Sequence, residues 1–364
     1  MQCVIEKELF EESLSNVVQI IMTKTSYPVL QNVFLESTGE SLIIKATDLD
    51  TYVEKHLSLS EKGKAGKVIV SGKKLLEAVR ELSADKLTLT LKDSKVYLEA
   101  EGSTSIFLGL DPTEFPEVPE LPKDNKLEFP LTTLEEIFKA TSFATSKDES
   151  RPAMCGVYWK VSATETRMVA TDSYRLAFAK KKGKYGGKLE AIIAPKVFAF
   201  FPKGVDKVTI SVDPAKIGLV FPNTTIITRL IEGPYPDYER IMPKQYPFRM
   251  QTNVANFTAA LRRAAVFAHP VGRLVVLNLS AKESSIFAET QDIGQTTQLF
   301  DANYEGDDLK IGFNVDFLLE VLRHIDSDEV VMELLNPLAA GVIKPASAQA
   351  EIEKIYLLMP IRIE

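Results

Sequence analysis

The chain repeats itself three times, and a repeat constrains a fold before any local structure is read, because each copy must bury its apolar face in the same way. The segment ATDLD (46–50) returns as ATDSY (170–174) and more weakly as AETQD (288–292), at steps of 124 and 118 residues. SGKKLLEAVREL (71–82), APKVFAFFPKG (194–204) and GFNVDFLLEVL (312–322) are short amphipathic stretches opened by a turn or capping residue, and each predicts a helix after a strand. EFPEVP (114–119), GPYPDY (233–238) and LLMPIR (357–362) close the units, with Pro116, Pro236 and Pro360 lying 120 and 124 residues apart. The spacing predicts three domains, 1–121, 122–243 and 244–364, with Pro119 and Pro122 in one linker and Pro243 and Pro247 in the other.

Each copy opens with a short strand and a longer helix whose apolar residues recur at three and four: Leu9, Leu14, Val17, Val18 and Ile21, then Leu134, Ile137, Phe138 and Thr141, then Phe257, Ala260, Leu261, Ala264 and Phe267. Alternating runs joined by tight turns follow, such as VFLES and SLIIKA around Thr38-Gly39, or KLTLTL and KVYLEA around Asp93-Ser94. Two helices and about eight strands per copy predict helices packed on one face of an antiparallel sheet, the α+β class.

Composition narrows the function classes. With 45% hydrophobic and 26% charged residues in 364, the chain has the make-up of a folded protein. No apolar run approaches the ~18 residues of a membrane span, and MQCVIEKELFEES lacks the pattern of a signal peptide, so the expected location is cytoplasmic. Cys3 and Cys155 are too few for a disulfide framework, and His56, His269 and His324 have no zinc spacing. Net charge is -7, yet residues 122–243 carry 19 Lys and Arg against 14 Asp and Glu, a local +5. Part of that excess is Lys180, Lys181, Lys182, Lys184 and Lys188, which with Gly183, Gly186 and Gly187 read as an exposed hairpin loop.

Strong catalytic signatures are absent: no GxxxxGK, GxGxxG after a strand, GxSxG or HExxH occurs, and no cofactor is expected. Asp48 with Asp50 is the nearest approach to a metal pair, and Asp48, Asp172 and Arg175 could serve a metal- or anion-dependent nucleotide enzyme. The recurrence of Asp48 as Asp172 instead favours an Asx turn shared by two repeats. His269 and His324 read as capping or exposed residues, with phosphate contact as the alternative. Lys73, Lys74, Arg80, Lys139, Lys196, Lys203, Arg262, Arg263 and Arg323 put positive charge on the predicted helices. If the helices share a surface, that lining could meet a nucleic-acid backbone without reading bases.

Together SYPVLQNVFLE (26–36), ATDLD (46–50), LDPTEFPEVP (110–119), VATDSYRLA (169–177), EGPYPDYERIMP (232–243), IGFNVDFLLEVL (311–322) and YLLMPIRIE (356–364) resemble the beta subunit of bacterial DNA polymerase III, the replicative sliding clamp. The resemblance spans essentially the whole chain. It implies three clamp domains per chain and a head-to-tail homodimer closed into a six-domain ring, with helices lining a hole for double-stranded DNA. An interface between residues near Lys74 to Leu82 and Val275 to Phe300 is implied with it. The implied activity is non-catalytic: a processivity factor held on DNA by topology and weak phosphate attraction, loaded by a separate clamp loader.

The resemblance also implies a pocket for Leu- and Phe-bearing peptides of the polymerase III catalytic subunit, the clamp loader, other DNA polymerases and repair proteins. Its walls fall on Met154, Thr171, Ser173, Tyr174, Arg175, Leu176, Pro236, Arg240, Ile241, Asn314, Phe317, Leu338, Ala340, Leu357, Leu358, Met359, Pro360, Ile361 and Arg362. Arg175 and Arg240 are expected as rim donors and Met359 as an adaptable wall. DNA-facing positions fall on Lys24, Lys73, Lys74 and Arg151, to which the helix reading adds Lys196, Arg262 and Arg263. Two departures stand out: Pro152 and Ala153 replace aromatic residues after Arg151, and Glu364 extends a C-terminus that commonly ends near Arg-Leu.

Overall fold

The computed structural model describes residues 1–22, 24–123, 126–242, 245–347 and 351–363; Pro243 and Glu364 therefore lie outside the described residues. The chain packs as two units, residues 1–132 with 193–230, and residues 133–192 with 231–364. The strand pairing explains why neither unit is a single repeat. In unit 1, an eight-stranded sheet runs in the order 127–130, 207–212, 216–220, 224–229, 51–58, 41–47, 33–37, 66–70, so strand Thr224–Arg229 of the middle repeat pairs with Thr51–Ser58 of the first. In unit 2, a nine-stranded sheet joins the middle and last repeats where Arg175–Lys182 pairs with Ile352–Leu358. Both junctions are antiparallel.

Each unit has a second, smaller sheet. Unit 1 carries five strands in the order 61–64, 2–6, 86–92, 95–100, 103–108, and unit 2 four in the order 294–300, 284–290, 274–279, 309–314. The Asp93-Ser94 turn is as predicted: Lys92 faces Lys95, and both turn residues take positive φ, 47° and 58°, which a two-residue hairpin requires.

Five α-helices form among the described residues: α1 (Lys7–Val17), α2 (Gly72–Arg80), α3 (Leu131–Lys139), α4 (Val254–Ala265) and α5 (Val315–Leu322). The apolar spacing is the cause of four inward faces. Phe10, Leu14 and Val17 bury one side of α1, with Phe10 rather than the half-buried Leu9 as its first anchor. Leu75, Leu76 and Val79 do so in α2, Phe257, Ala260, Leu261 and Ala264 in α4, and Leu318, Val321 and Leu322 in α5. Asn253 and Asn314 cap α4 and α5 by accepting from backbone N–H groups of the first turn. Within unit 1, α1 lies beside α2, and within unit 2, α4 lies beside α5.

The helix predicted over 194–204 is instead a 3-10 turn, Pro195–Phe200. Pro202 biases Phe201 out of the helical region, and Phe201 is extended at φ -64°, ψ 131°, so too few residues remain between Pro195 and Pro202 for a regular helix. The lysine-rich loop is also shorter than expected. Strand Arg175–Lys182 runs through the first three lysines, where Lys180 pairs with Glu353 at 2.6 Å and Lys181 with Glu351 at 3.0 Å. No helix among the described residues is long and apolar enough to cross a membrane.

Candidate peptide-binding site and cationic positions

Two hairpin loops show how the ATD repeat works. In the first, Asp48 Oδ1 accepts from the N–H groups of Asp50 and Thr51 while Thr47 Oγ1 donates to the Thr51 carbonyl. In the second, Asp172 Oδ1 accepts from Tyr174 and Arg175 while Thr171 Oγ1 donates to the Arg175 carbonyl. Leu49 and Ser173, at the tips, share φ 78°. Each aspartate is an Asx-turn residue, and its second oxygen meets a cation, Lys196 at 2.5 Å or Arg175 at 3.0 Å. The carboxylates of the enzyme reading are thus occupied in the loops. No cluster of three or more His, Cys, Asp or Glu suited to a metal occurs among the described residues.

The 171–175 loop stands at the seam between the middle and last repeats, and strand pleat sorts the expected pocket residues onto two faces. Register places Thr171 opposite Leu176, Leu176 opposite Leu357, and Leu357 opposite Val342. Two residues along, Val169 faces Phe178. Because side chains alternate along a strand, these residues share one face. Val169, Leu176, Phe178, Tyr238, Ala340, Val342 and Leu357 form a buried apolar floor there, against which Tyr158, Tyr235, Met242, Tyr246 and Ile355 pack half-buried. Tyr235 stacks on Tyr158 at 5.0 Å and donates to the Val169 carbonyl, and burial raises its phenol pKa above the ordinary value.

Around this floor, Tyr174, Ile241, Leu338 and Met359 are 62%, 53%, 63% and 47% exposed, a concentration of large apolar side chains left in water. The Met359 N–H donates to the Tyr174 carbonyl at 2.8 Å, tying the loop to the C-terminal segment, and the Ile361 N–H donates to the Gly312 carbonyl. Pro236, Pro360 and Ile361 are half-buried, and Arg362 is exposed. Arg240 is 86% exposed at its side chain and held by Asp237 at 2.7 Å.

Arg175 differs from the expected rim donor. It and Leu358 point to the opposite face, in the row Arg175, Leu358, Gly341. Its guanidinium donates to Asp172, to Glu320 at 2.5 Å and to the Phe143 carbonyl at 2.9 Å. It also lies 4.6 Å from the Phe317 ring centroid and 5.4 Å from that of Phe143. With 10% side-chain exposure and these partners, Arg175 is a buried anchor, not a free donor. Leu358 is 1% exposed and belongs to the core. Asn314 spends its side-chain oxygen on the α5 cap. His324, expected as capping or exposed, is half-buried and stacked on Phe143 at 4.1 Å; burial lowers its pKa. His269 is exposed, and its Nδ1 accepts from the Val271 N–H as a capping side chain does.

Of the cationic positions, unit 1 holds Lys24, Lys73, Lys74 and Lys196, and unit 2 holds Arg151, Arg262 and Arg263. Lys24 is exposed, Lys73 is half-buried, and the exposed Lys74 pairs with Glu77 at 2.6 Å. Arg262 and Arg263 are exposed in the last turn of α4, Arg263 donating to Gln298. Lys196 is tied to Asp48. Arg151 donates to Asp148 and to Ser173 Oγ, and Ser173 Oγ lies 3.4 Å from Met154 Sδ, so Arg151 and Met154 border the pocket loop. Sequence reasoning missed Val169, Phe178, Val342, Tyr235 and Tyr238, which alternation along the strands could have found. It also missed Phe143 and Glu320, for which no local signal exists, since they lie 32 and 145 residues from Arg175.

Three clamp domains with helices on antiparallel sheets define the class of sliding-clamp folds. The N-terminal, central and C-terminal domain models of the DNA polymerase III beta subunit match residues 1–119, 128–237 and 239–362 in succession. The chain belongs to the DNA polymerase III beta subunit family. It is 26% identical over 380 residues to the beta sliding clamp of Staphylococcus epidermidis, covering 100% of this chain and 99% of that one. The Staphylococcus aureus protein is 26% identical over 377 residues, with the same coverage. The beta subunit structure from Thermotoga maritima superposes with TM-score 0.94 at 22% identity, and a Bartonella birtlesii sliding clamp bound to griselimycin with 0.93 at 26%, each over 100% of both chains.

Proposed function

We propose that the chain is a DNA sliding clamp and non-catalytic processivity factor that encircles double-stranded DNA as a homodimer in the cytoplasm. In that role it tethers the polymerase III catalytic subunit and docks the clamp loader, other polymerases and repair proteins. The observation that carries this reading is the succession of three beta-subunit domains, in order, over residues 1–119, 128–237 and 239–362. We retain 1–121, 122–243 and 244–364 as the domain limits.

Two open sheet edges support closure by a second copy. The five-stranded sheet of unit 1 ends on Ser103–Leu108, with Ile106 and Leu108 57% and 77% exposed, and the four-stranded sheet of unit 2 ends on Gly294–Phe300, with Leu299 57% exposed. A head-to-tail contact covers both edges at once and closes a ring if its rotation permits. Lys24, Lys73 and Arg262 supply sequence-independent phosphate attraction, joined by Lys74, Arg263, Lys196 and Arg151 as each exchanges its present partner.

The apolar groove takes the Leu or Phe of a partner peptide. Tyr174, Ile241, Leu338 and Met359 gain burial on binding, and Thr171, Leu176, Ala340 and Leu357 form the floor. Met359→Ala should weaken a fluorescein-labelled synthetic peptide carrying one Leu and one Phe by about tenfold, the scale of a hot-spot truncation. Unchanged affinity in a polarisation titration would count against the groove.

A further inference from the structure

The two seams are internal copies of one another, and comparing them isolates what opens the groove. Thr171-Asp172 matches Thr47-Asp48, so Leu176 corresponds to Tyr52. The cross-strand row Leu176, Leu357, Val342 in unit 2 then corresponds to Tyr52, Ile227, Gly218 in unit 1. A shared backbone bond fixes the alignment: Met359 N–H donates to the Tyr174 carbonyl at 2.8 Å, as Arg229 N–H does to the Asp50 carbonyl at 2.9 Å. The segments crossing the two sheets also correspond. Phe115 lies 5.1 Å from Phe34, and Tyr235 lies 5.0 Å from Tyr158; six residues on from each come Leu121 and Ile241.

At that equivalent place the two units differ. In unit 1 the third residue of the row is Gly218, which pairs onward with Ser211, and Leu121, 38% exposed, rests against it: a Cβ built there would stand 2.5 Å from Leu121 Cδ2, 3.0 Å from Ser211 Oγ and 3.1 Å from Pro122 Cδ. In unit 2 the third residue of the row is Val342, which pairs onward with Glu333 and is 3% exposed, and Ile241 is 53% exposed. The lips differ in the same sense, an Asp50–Arg229 ion pair at 3.7 Å against apolar Tyr174 and Met359.

We propose that Val342 is a positioning residue that props Ile241 away from the floor and so keeps the peptide groove open, while Gly218 lets Leu121 collapse and close the equivalent groove of unit 1. This rests on the groove being the peptide site. It accounts for one apolar docking site per chain despite the repeated architecture. Val342, a buried member of the floor, acts by volume, since a β-branched side chain occupies the space into which Ile241 would otherwise fall.

The test uses the full-length chain and the fluorescein-labelled Leu- and Phe-bearing peptide. Val342→Gly weakens binding by about tenfold. In the native background Ile241→Ala also weakens binding, because a wall is lost; in the Val342→Gly background it restores affinity, because the collapsing group is gone. That reversal of sign is the expected result, and simple addition of two losses overturns the prop, since a merely destabilising cavity would not be cured by a second truncation. A peptide-free measurement separates this claim from the docking site itself. With Cys155→Ser removing the half-buried thiol and Cys3 fully buried, Ile241→Cys reacts with an aromatic disulfide reagent, and adding Val342→Gly slows the reaction about fivefold. An unchanged rate overturns the prop whether or not peptide binds, whereas a slowed rate with no peptide binding to the native chain sustains the prop and sinks the docking reading. If Val342→Gly does not fold, Gly218→Val is read instead: it exposes the thiol of Leu121→Cys about fivefold, and no change overturns the proposal.

Discussion

At the scale of the residue, Arg175 shows what a shared motif can hide. Its guanidinium is committed to Asp172, Glu320 and the Phe143 carbonyl, so Arg175→Ala leaves two carboxylates and a carbonyl short of a donor. Urea unfolding should report a loss on the order of 2–3 kcal/mol, with most of it persisting in Arg175→Lys, whose ammonium cannot satisfy three partners from one plane. A loss below about 0.5 kcal/mol would mean that the network is ornamental. His324 makes a second prediction. Burial lowers its pKa, with Lys139, Lys354 and Arg323 acting in the same sense and Glu320 against it. The unfolded chain therefore binds a proton more readily than the folded one, so this contribution is fully present above about pH 6.5 and is lost as pH falls from there through the lowered folded value. His324→Phe keeps the stack on Phe143 and should flatten the stability profile below about pH 6.5; an unchanged slope would assign it to other groups.

At the scale of the element, legibility tracked how local the cause is. The Asp93-Ser94 turn, the Asx loops and the capped helices α4 and α5 follow from neighbours within a few residues, and the sequence reading of them stands. The 3-10 turn at Pro195–Phe200 was misread because apolar spacing outweighed the pair of prolines bounding it. The candidate site was legible only in part: alternation placed Leu176 and Leu357 on strands, but which face each side chain takes depends on register, and register sent Arg175 and Leu358 to the other side. Turn chemistry gives the test here. Asp93→Asn with Ser94→Gly relieves positive φ at both positions and should stabilise unit 1 by about 0.5 kcal/mol in thermal unfolding. Destabilisation would show that the Asp93 and Ser94 side chains contribute more than their backbone strain costs.

At the scale of the whole molecule, the repeat explains both the sheets and the proposed assembly. Each large sheet is stitched from two repeats, and each small sheet ends on an edge that a second copy can cover. Leu108→Asp places a charge on that edge and should shift sedimentation from two chains to one; retention of the dimer would move the interface elsewhere. Enclosure also reconciles a net charge of -7 with DNA, because a closed ring needs little electrostatic affinity to stay on. The most direct measurement is retention on a nicked circular plasmid, after loading with a matching clamp loader and ATP, in salt high enough to screen phosphate contacts. Topological attachment predicts that the protein stays on the circle and runs off once the plasmid is cut. Equal retention before and after cutting, with loading verified, would contradict the clamp account.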